Sequence, residues 1–445
     1  MSTATPTAAT QAQNLYCKAR RIIPGGTQLL SKRPEMFAPG QWPGYFKEAR
    51  GVEVIDIDGR RYIDMTTMGI GACLLGYADP DVNQAVVDRV QRGSMSSLNP
   101  PEEVELAEML LSLHPWAQMA RFARGGGEAM SVAVRIARAF TGRDRVAFCG
   151  YHGWTDWYLA ANLDPADDRL KGHLLPGLEP AGVPSGLAGT ALPFAYNQVD
   201  QLREISRQHG SKLAAIVMEP TRGSPPAPGF LEAVRKIADE TGACLIFDEI
   251  SIGFRLHHGG AHLHYGVMPD IAVFAKSLGN GIPVSAIIGT DRVMQAAQRS
   301  FISSTFWTDS LGPTAAIAVL KKMKQVNIPA HIAAIGKQYK EGLLQLSSKH
   351  TLPLKVGGHD AMPSISFASD QALALQTLLT VRMLDHGILS GSSFYPSLAH
   401  QPSHVEQFLT AADEVLAELA EAIRVGDVLQ RIGGEVKHAG FARLA

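Results

Sequence analysis

The chain has 445 residues, 46% of them apolar and 19% charged, with 41 basic against 42 acidic side chains. That length exceeds the roughly 250–300 residues at which a single hydrophobic core stops growing, so more than one domain is expected. A formal net charge of −1 gives no electrostatic footprint for nucleic acid or an anionic membrane, and no apolar run reaches the ~18 residues that would cross a bilayer.

The first fourteen residues are rich in Ala, Thr and Gln and lack the basic patch followed by an apolar run that marks a signal peptide. Residues 11–23 read as a short helix stopped by Pro24-Gly25-Gly26. A Pro- and Gly-rich loop follows, to Tyr45. The apolar alternation from Val52 through Ile57, the turn pair Asp58-Gly59 and then Tyr62-Ile63 predict a small antiparallel element. Helices are expected over 80–92 and 101–113. From there strands and helices alternate: a strand at 120–123, a turn at Gly125-Gly126-Gly127, a helix over 128–140, a strand at 145–149, a punctuated loop over 160–193, a strand at 213–218 and a helix over 230–241.

The apolar run Cys244-Leu245-Ile246-Phe247 then ends in Asp248-Glu249, and a second, Ile271-Ala272-Val273-Phe274, ends in Ala275-Lys276. Runs of this length and aliphatic character predict fully buried parallel strands. A further strand is expected at 285–288, and beyond Gly312 helices alternate with short strands such as 363–367. The pattern predicts an α/β fold in which a mainly parallel sheet is covered by helices on both faces. It divides into an N-terminal segment (1–69), a large domain (70–312) and a small C-terminal α/β domain (313–445).

Two of those strands each deliver one charged side chain at the carboxyl end, where open α/β sheets bind ligands. An amine at Lys276 and a carboxylate at Asp248 are the pair that pyridoxal phosphate chemistry requires, one to form a Schiff base and one to hold the protonated pyridine nitrogen. A Schiff base needs the neutral amine, and at an ordinary pKa of about 10.4 only about one lysine in 2,500 is neutral at pH 7, so burial and nearby cations must assist. Each residue taken alone also has an ordinary structural reading, Lys276 as a solvated strand-end lysine and Asp248 as a helix cap.

The ordered pieces Pro24-Gly25-Gly26, Asp56-Ile57-Asp58-Gly59, Gly127-Glu128-Ala129, Tyr151-His152-Gly153, Met218-Glu219-Pro220, Asp248-Glu249, Gly253-Phe254-Arg255, Ala275-Lys276 and Ser304-Thr305 resemble the fold-type I, class III aminotransferases, in particular the glutamate-1-semialdehyde aminomutase-like branch. The resemblance implies pyridoxal 5'-phosphate as cofactor and Lys276 as the catalytic lysine. It places Asp248 at the pyridine nitrogen, Ile250 on one ring face, Tyr151 with His152 on the other, and Glu219 near the phenolic edge. Gly126 and Gly127, opening a helix, would present backbone N–H groups to the phosphate. The relatives commonly carry Ser-Gly-Thr there. The missing hydroxyls forfeit about 1.5–3 kcal/mol each as hydrogen bonds to a charged acceptor, so a weaker hold on the cofactor is expected. Thr305 would reach the phosphate of a neighbouring subunit, implying a homodimer.

For the substrate carboxylate the aminomutase uses a serine and an arginine just after Pro-Gly-Gly. Here the segment reads Thr27-Gln28-Leu29-Leu30-Ser31-Lys32-Arg33, leaving Lys32 or Arg33 as candidates. The histidines His257, His258, His262 and His264 come without cysteines or a visible second shell, and no metal is expected. The four cysteines, Cys17, Cys73, Cys149 and Cys244, form no CxxC and suit a reducing cytoplasm. The expected function is an aminotransferase acting between a small-molecule amine donor and an aldehyde or keto acceptor. The alternatives are an aminomutase, or a cofactor-binding relative without turnover.

Overall fold

A computed structural model describes residues 10–163, 179–221 and 223–440. The chain forms two compact units, 69–334 on one side and 1–68 with 335–445 on the other. In the second of these, α1 (Gln11–Ile22) starts at a capping box in which Thr10 and Gln13 satisfy each other's backbone N–H groups. Strands β1 (Phe46–Arg50), β2 (Glu53–Asp56) and β3 (Arg61–Met65) form the antiparallel element expected around Asp58-Gly59.

Unit 69–334 begins with α2 (Pro80–Gln91) and α3 (Glu102–Leu113), then alternates β4 (Met119–Ala123), α4 (Gly126–Thr141), β5 (Arg145–Cys149), α5 (Asp156–Leu159), β6 (Ala191–Pro193), α6 (Val199–His209), β7 (Leu213–Met218), α7 (Phe230–Thr241), β8 (Cys244–Asp248), α8 (Ala261–Tyr265), β9 (Ile271–Phe274), β10 (Ser285–Gly289), α9 (Asp291–Met294) and α10 (Leu311–Gln325). Its seven strands lie in the order β4-β10-β9-β8-β7-β5-β6, and only β10 opposes the rest. Every side chain of β7 and β8 is buried, as continuous apolar runs demand in a sheet covered on both faces. Ala215, Val217 and Ile246 pack with α4, while Leu213, Ile216, Leu245 and Phe247 pack with α6 and α7. Much of the expected loop over 160–193 lies outside the described residues, and its described end contributes the short β6.

The remaining elements are α11 (Ile328–Lys349), β11 (Leu354–His359), β12 (Met362–Phe367), α12 (Ala372–Asp385), β13 (Ile388–Ser390), α13 (Pro402–Val425) and α14 (Val428–Ile432). β13 pairs in parallel with β3, so the N-terminal strands and the C-terminal helices share one core around Leu375, Leu378, Phe408 and Leu416. The division by sequence at 69 and 312 separates these segments; the pairing that unites them spans more than three hundred residues and leaves no local pattern. The boundary also falls later than 312, because α10, whose Ala315, Val319 and Leu320 are buried, packs on α2 and α3. No helix among the described residues is long and apolar enough to cross a membrane.

Candidate active site

β8 and β9 are neighbours in parallel register, with Asp248 opposite Val273. Both end at the same edge of the sheet, and there a cavity of about 310 Å³ is lined by Asp248 and Lys276 together. That volume is at the lower end of the range for small-molecule and cofactor sites. Lys276 follows β9 with φ of +44°, in the left-handed region. A side chain there costs of order 1–3 kcal/mol, a strain that marks sites where orientation matters. The next turn depends on glycine, since a Cβ on Gly279 would sit 2.0 Å from the Ile282 carbonyl oxygen. Asn280 fastens this turn to the loop before α2, accepting from Leu75 N at 2.8 Å and donating to Gly76 O at 3.0 Å. The Gly71 carbonyl accepts from both Ser277 Oγ and Arg255 Nη2.

Lys276 Nζ donates to Ser251 Oγ at 2.7 Å. Asp248 is 3% exposed. Its Oδ1 accepts from Ile250 N at 2.9 Å and its Oδ2 meets His152 Nδ1 at 2.8 Å. The other ring nitrogen of His152 lies 3.1 Å from the Cys149 carbonyl oxygen. A carbonyl only accepts, so Nε2 carries a proton. The ring thus bridges the Cys149 carbonyl and the Asp248 carboxylate, fixing the orientation of both the imidazole and the acid. The resemblance pairs His152 with Tyr151 over a ring face; in the structure it is buried beside Asp248 and supports that carboxylate, though it still borders the cavity.

Gly126 and Gly127 also line the cavity. Glu128 caps this helix start, its Oε2 accepting from Arg124 N and Gly125 N, which leaves the Gly126 and Gly127 N–H groups at the open end of α4. Small size is needed here: a Cβ on Gly126 would come 2.9 Å from Ile250 Cδ1. Tyr151 and Ile250 complete the walls. The residues present thus fit a flat, phosphorylated ring: an amine, a buried carboxylate, an aliphatic and an aromatic wall, and a bare helix N-terminus.

Glu219 is buried but does not line the cavity; a Cβ on Gly150 would meet its Oε2 at 2.9 Å. Thr305 is exposed in a short 3₁₀ turn, Thr305–Thr308, and it too lies off the cavity wall. Lys32 is exposed and Arg33 buried, both within unit 1–68 with 335–445. His262 belongs to the core, where its Nδ1 donates to Glu249 Oε1 at 2.8 Å and its Nε2 accepts from Trp116 Nε1 at 3.1 Å. Among the described residues no group of three His, Cys, Asp or Glu could hold a metal ion. Among the cavity residues that escape sequence reasoning are Arg124, Trp154 and Ser251. Each follows or precedes a recognised motif by one to three positions, a proximity that distinguishes them only once the turns are known.

The class III aminotransferase family model matches residues 38–423. The chain belongs to the class III aminotransferases. It is 31% identical to the 3-aminobutyryl-CoA aminotransferase of Cloacimonas acidaminovorans (strain Evry) over 426 residues, covering 93% of this chain and 96% of that one. It is 33% identical to the glutamate-1-semialdehyde 2,1-aminomutase of Thermomicrobium roseum over 430 residues, covering 92% and 98%. The FumI protein of Sphingopyxis sp. MTA144, solved in its PLP internal aldimine form, superposes with a TM-score of 0.84 at 27% identity, covering 93% of this chain and 97% of that one. This class III aminotransferase is a fold-type I enzyme, and pyridoxal 5'-phosphate is its cofactor.

Proposed function

We propose that this aminotransferase moves an amino group from a small-molecule amine or amino acid to an aldehyde or keto acceptor, with Lys276 as the catalytic residue. The observation that carries the reading is the meeting of Lys276 and Asp248 in one cavity with the Gly126–Gly127 helix start. Bound pyridoxal phosphate supplies an electron sink at the carbon that loses its proton. Lys276 Nζ, within reach of Ser251 Oγ, takes that proton from one carbon and returns it to another. Asp248, backed by His152, would hold a positive ring nitrogen; Ile250 and Tyr151 would flank the ring; the Gly126 and Gly127 N–H groups would take the phosphate. Glu219 would stand near the phenolic edge of the ring. Lys32 and Arg33 remain the candidates for a substrate carboxylate.

A panel of donors and acceptors, followed by the visible spectrum of the purified enzyme, tests the reading. Separate half-reactions with a donor and with an acceptor are expected, and the panel includes a donor aminated β to a thioester carbonyl, after the C. acidaminovorans relative. A second reading, favoured by the 33% identity to an aminomutase, predicts instead that glutamate semialdehyde alone is converted with no second substrate. A spectrum that responds to no amine at all supports a relative without turnover and sinks both.

The same proposal makes the enzyme a homodimer in which Thr305 reaches the neighbouring phosphate. Thr305 stands between Phe301 and Phe306, which are 89% and 69% exposed. Large apolar side chains held out on a fixed turn mark an interaction surface. The segment is fixed from within, Arg121 Nη2 donating to Ile302 O at 2.7 Å and Arg124 Nη2 to Asp309 O at 2.6 Å. Sedimentation is expected to show a dimer that Phe306→Asp weakens, and Thr305→Ala is expected to loosen the cofactor by roughly tenfold or more, the worth of one hydrogen bond to a charged acceptor. A monomeric, fully active wild type overturns this part. The four cysteines are free thiols, which supports a cytoplasmic setting.

A further inference from the structure

The turn Gly125-Gly126-Gly127 offers an incoming phosphate backbone N–H groups and no side-chain donor. The residue just before it is Arg124, which lines the same cavity. Its side chain is 16% exposed. Nη2 donates to Asp309 O at 2.6 Å, Nη1 to Ala123 O at 3.3 Å, and the Asp309 carboxylate stands 3.7 Å off. Nε is buried and has no partner among the described residues.

We propose that Arg124 is the charged anchor for the cofactor's phosphate in this chain. The inference rests on the cofactor reading of the cavity and goes beyond it by giving a charge to a cradle otherwise made of backbone. Two carbonyls and a long ion pair to Asp309 hold the guanidinium in place. Carbonyl oxygens orient a cation but leave its charge available to an anion nearby, and a guanidinium fork suits phosphate geometry. Of the carboxylates around it, Glu128 caps the backbone of Arg124 and Gly125, Glu103 acts only through space, and Asp309 makes a long ion pair with Nη2 at 3.7 Å that leaves Nε uncovered. The position also separates the two anions the cavity could meet. Arg124 is the chain neighbour of the helix start, which suits the phosphate, while Lys276 and Ser251 mark where chemistry occurs.

The test uses the full-length protein stripped of cofactor and compares pyridoxal 5'-phosphate with pyridoxal, which lacks the phosphate, in equilibrium titrations of wild type, Arg124→Gln and Arg124→Lys. Arg124→Gln is expected to weaken pyridoxal phosphate at least tenfold, Arg124→Lys to weaken it less, and all three proteins to bind pyridoxal alike. Inorganic phosphate should compete with the phosphorylated ligand more strongly in wild type than in Arg124→Gln. Equal loss for both ligands would assign Arg124 a structural role through Asp309 and overturn the proposal. Unchanged cofactor affinity with a raised KM for carboxylate donors over simple amines would overturn it in favour of substrate recognition. A wild type that binds neither ligand overturns the cavity reading itself, and this proposal with it.

Discussion

Lys276→Ala is expected to lower kcat by about 10⁴-fold or more and to leave no covalently held cofactor. In the proposed function one amine performs two tasks, attachment and proton transfer, and general acid–base catalysis alone is worth about 10²–10⁴-fold. The substitution isolates chemistry from folding. The left-handed φ of +44° at this position burdens any residue with a Cβ about equally, so alanine inherits the backbone strain rather than adding to it. The lost contact, Nζ to Ser251 Oγ at 2.7 Å, is a side-chain hydrogen bond worth roughly 0.5–3 kcal/mol. The melting temperature should therefore stay within a few degrees of wild type for a chain this long. The checks are steady-state turnover, the visible absorption of the purified protein and trapping of the cofactor by borohydride. Retained yellow colour together with a borohydride-fixable adduct would move the attachment point to another lysine.

The features of this site that can be read from sequence are those in which one short segment carries both the pattern and the chemistry. Cys244–Asp248 and Ile271–Phe274 are apolar throughout and end on charge, and a buried strand has no other place for a charged side chain than its end. The glycines at 126 and 127 are legible for the same reason, since they interrupt a strand-to-helix passage. What cannot be read depends on partners remote in the chain. The reversed direction of β10 follows from its pairing with β4, more than 160 residues earlier, and the same distance hides the contact between Arg124 and Asp309. The parallel pairing of β3 with β13 joins the two ends of the chain into one unit, whereas periodicity alone describes each end as self-sufficient. His152 shows the limit most clearly. Its neighbour Tyr151 lines the cavity, but Gly150 at φ of +116° and Gly153 at φ of +100° turn the segment so that the imidazole is buried against Asp248.

Asp248→Asn is expected to separate binding from turnover. Lys276 is untouched, so the protein should remain coloured, while kcat falls by about 10²–10³-fold, the range observed when one preorganised electrostatic contact is removed from an active site. The amide nearly matches the carboxylate in shape, and its oxygen can still accept from Ile250 N, as Oδ1 does now at 2.9 Å. Its nitrogen then faces His152 Nδ1, which accepts in the tautomer that carries its proton on Nε2. The rearranged pair stays satisfied, with Nε2 still donating to Cys149 O. Stability should consequently drop by about 1–3 kcal/mol, the cost of exchanging one buried hydrogen bond, rather than the roughly 3–5 kcal/mol that follows when a buried ion is stranded without its partner. In the proposed site, what is lost is the negative charge that would stand opposite the ring nitrogen, and with it the reason for that nitrogen to keep a proton. Single-turnover measurements on the coloured variant give the decisive number: a rate within tenfold of wild type would mean that Asp248 caps Ile250 and orients His152 but does no electrostatic work on the ring.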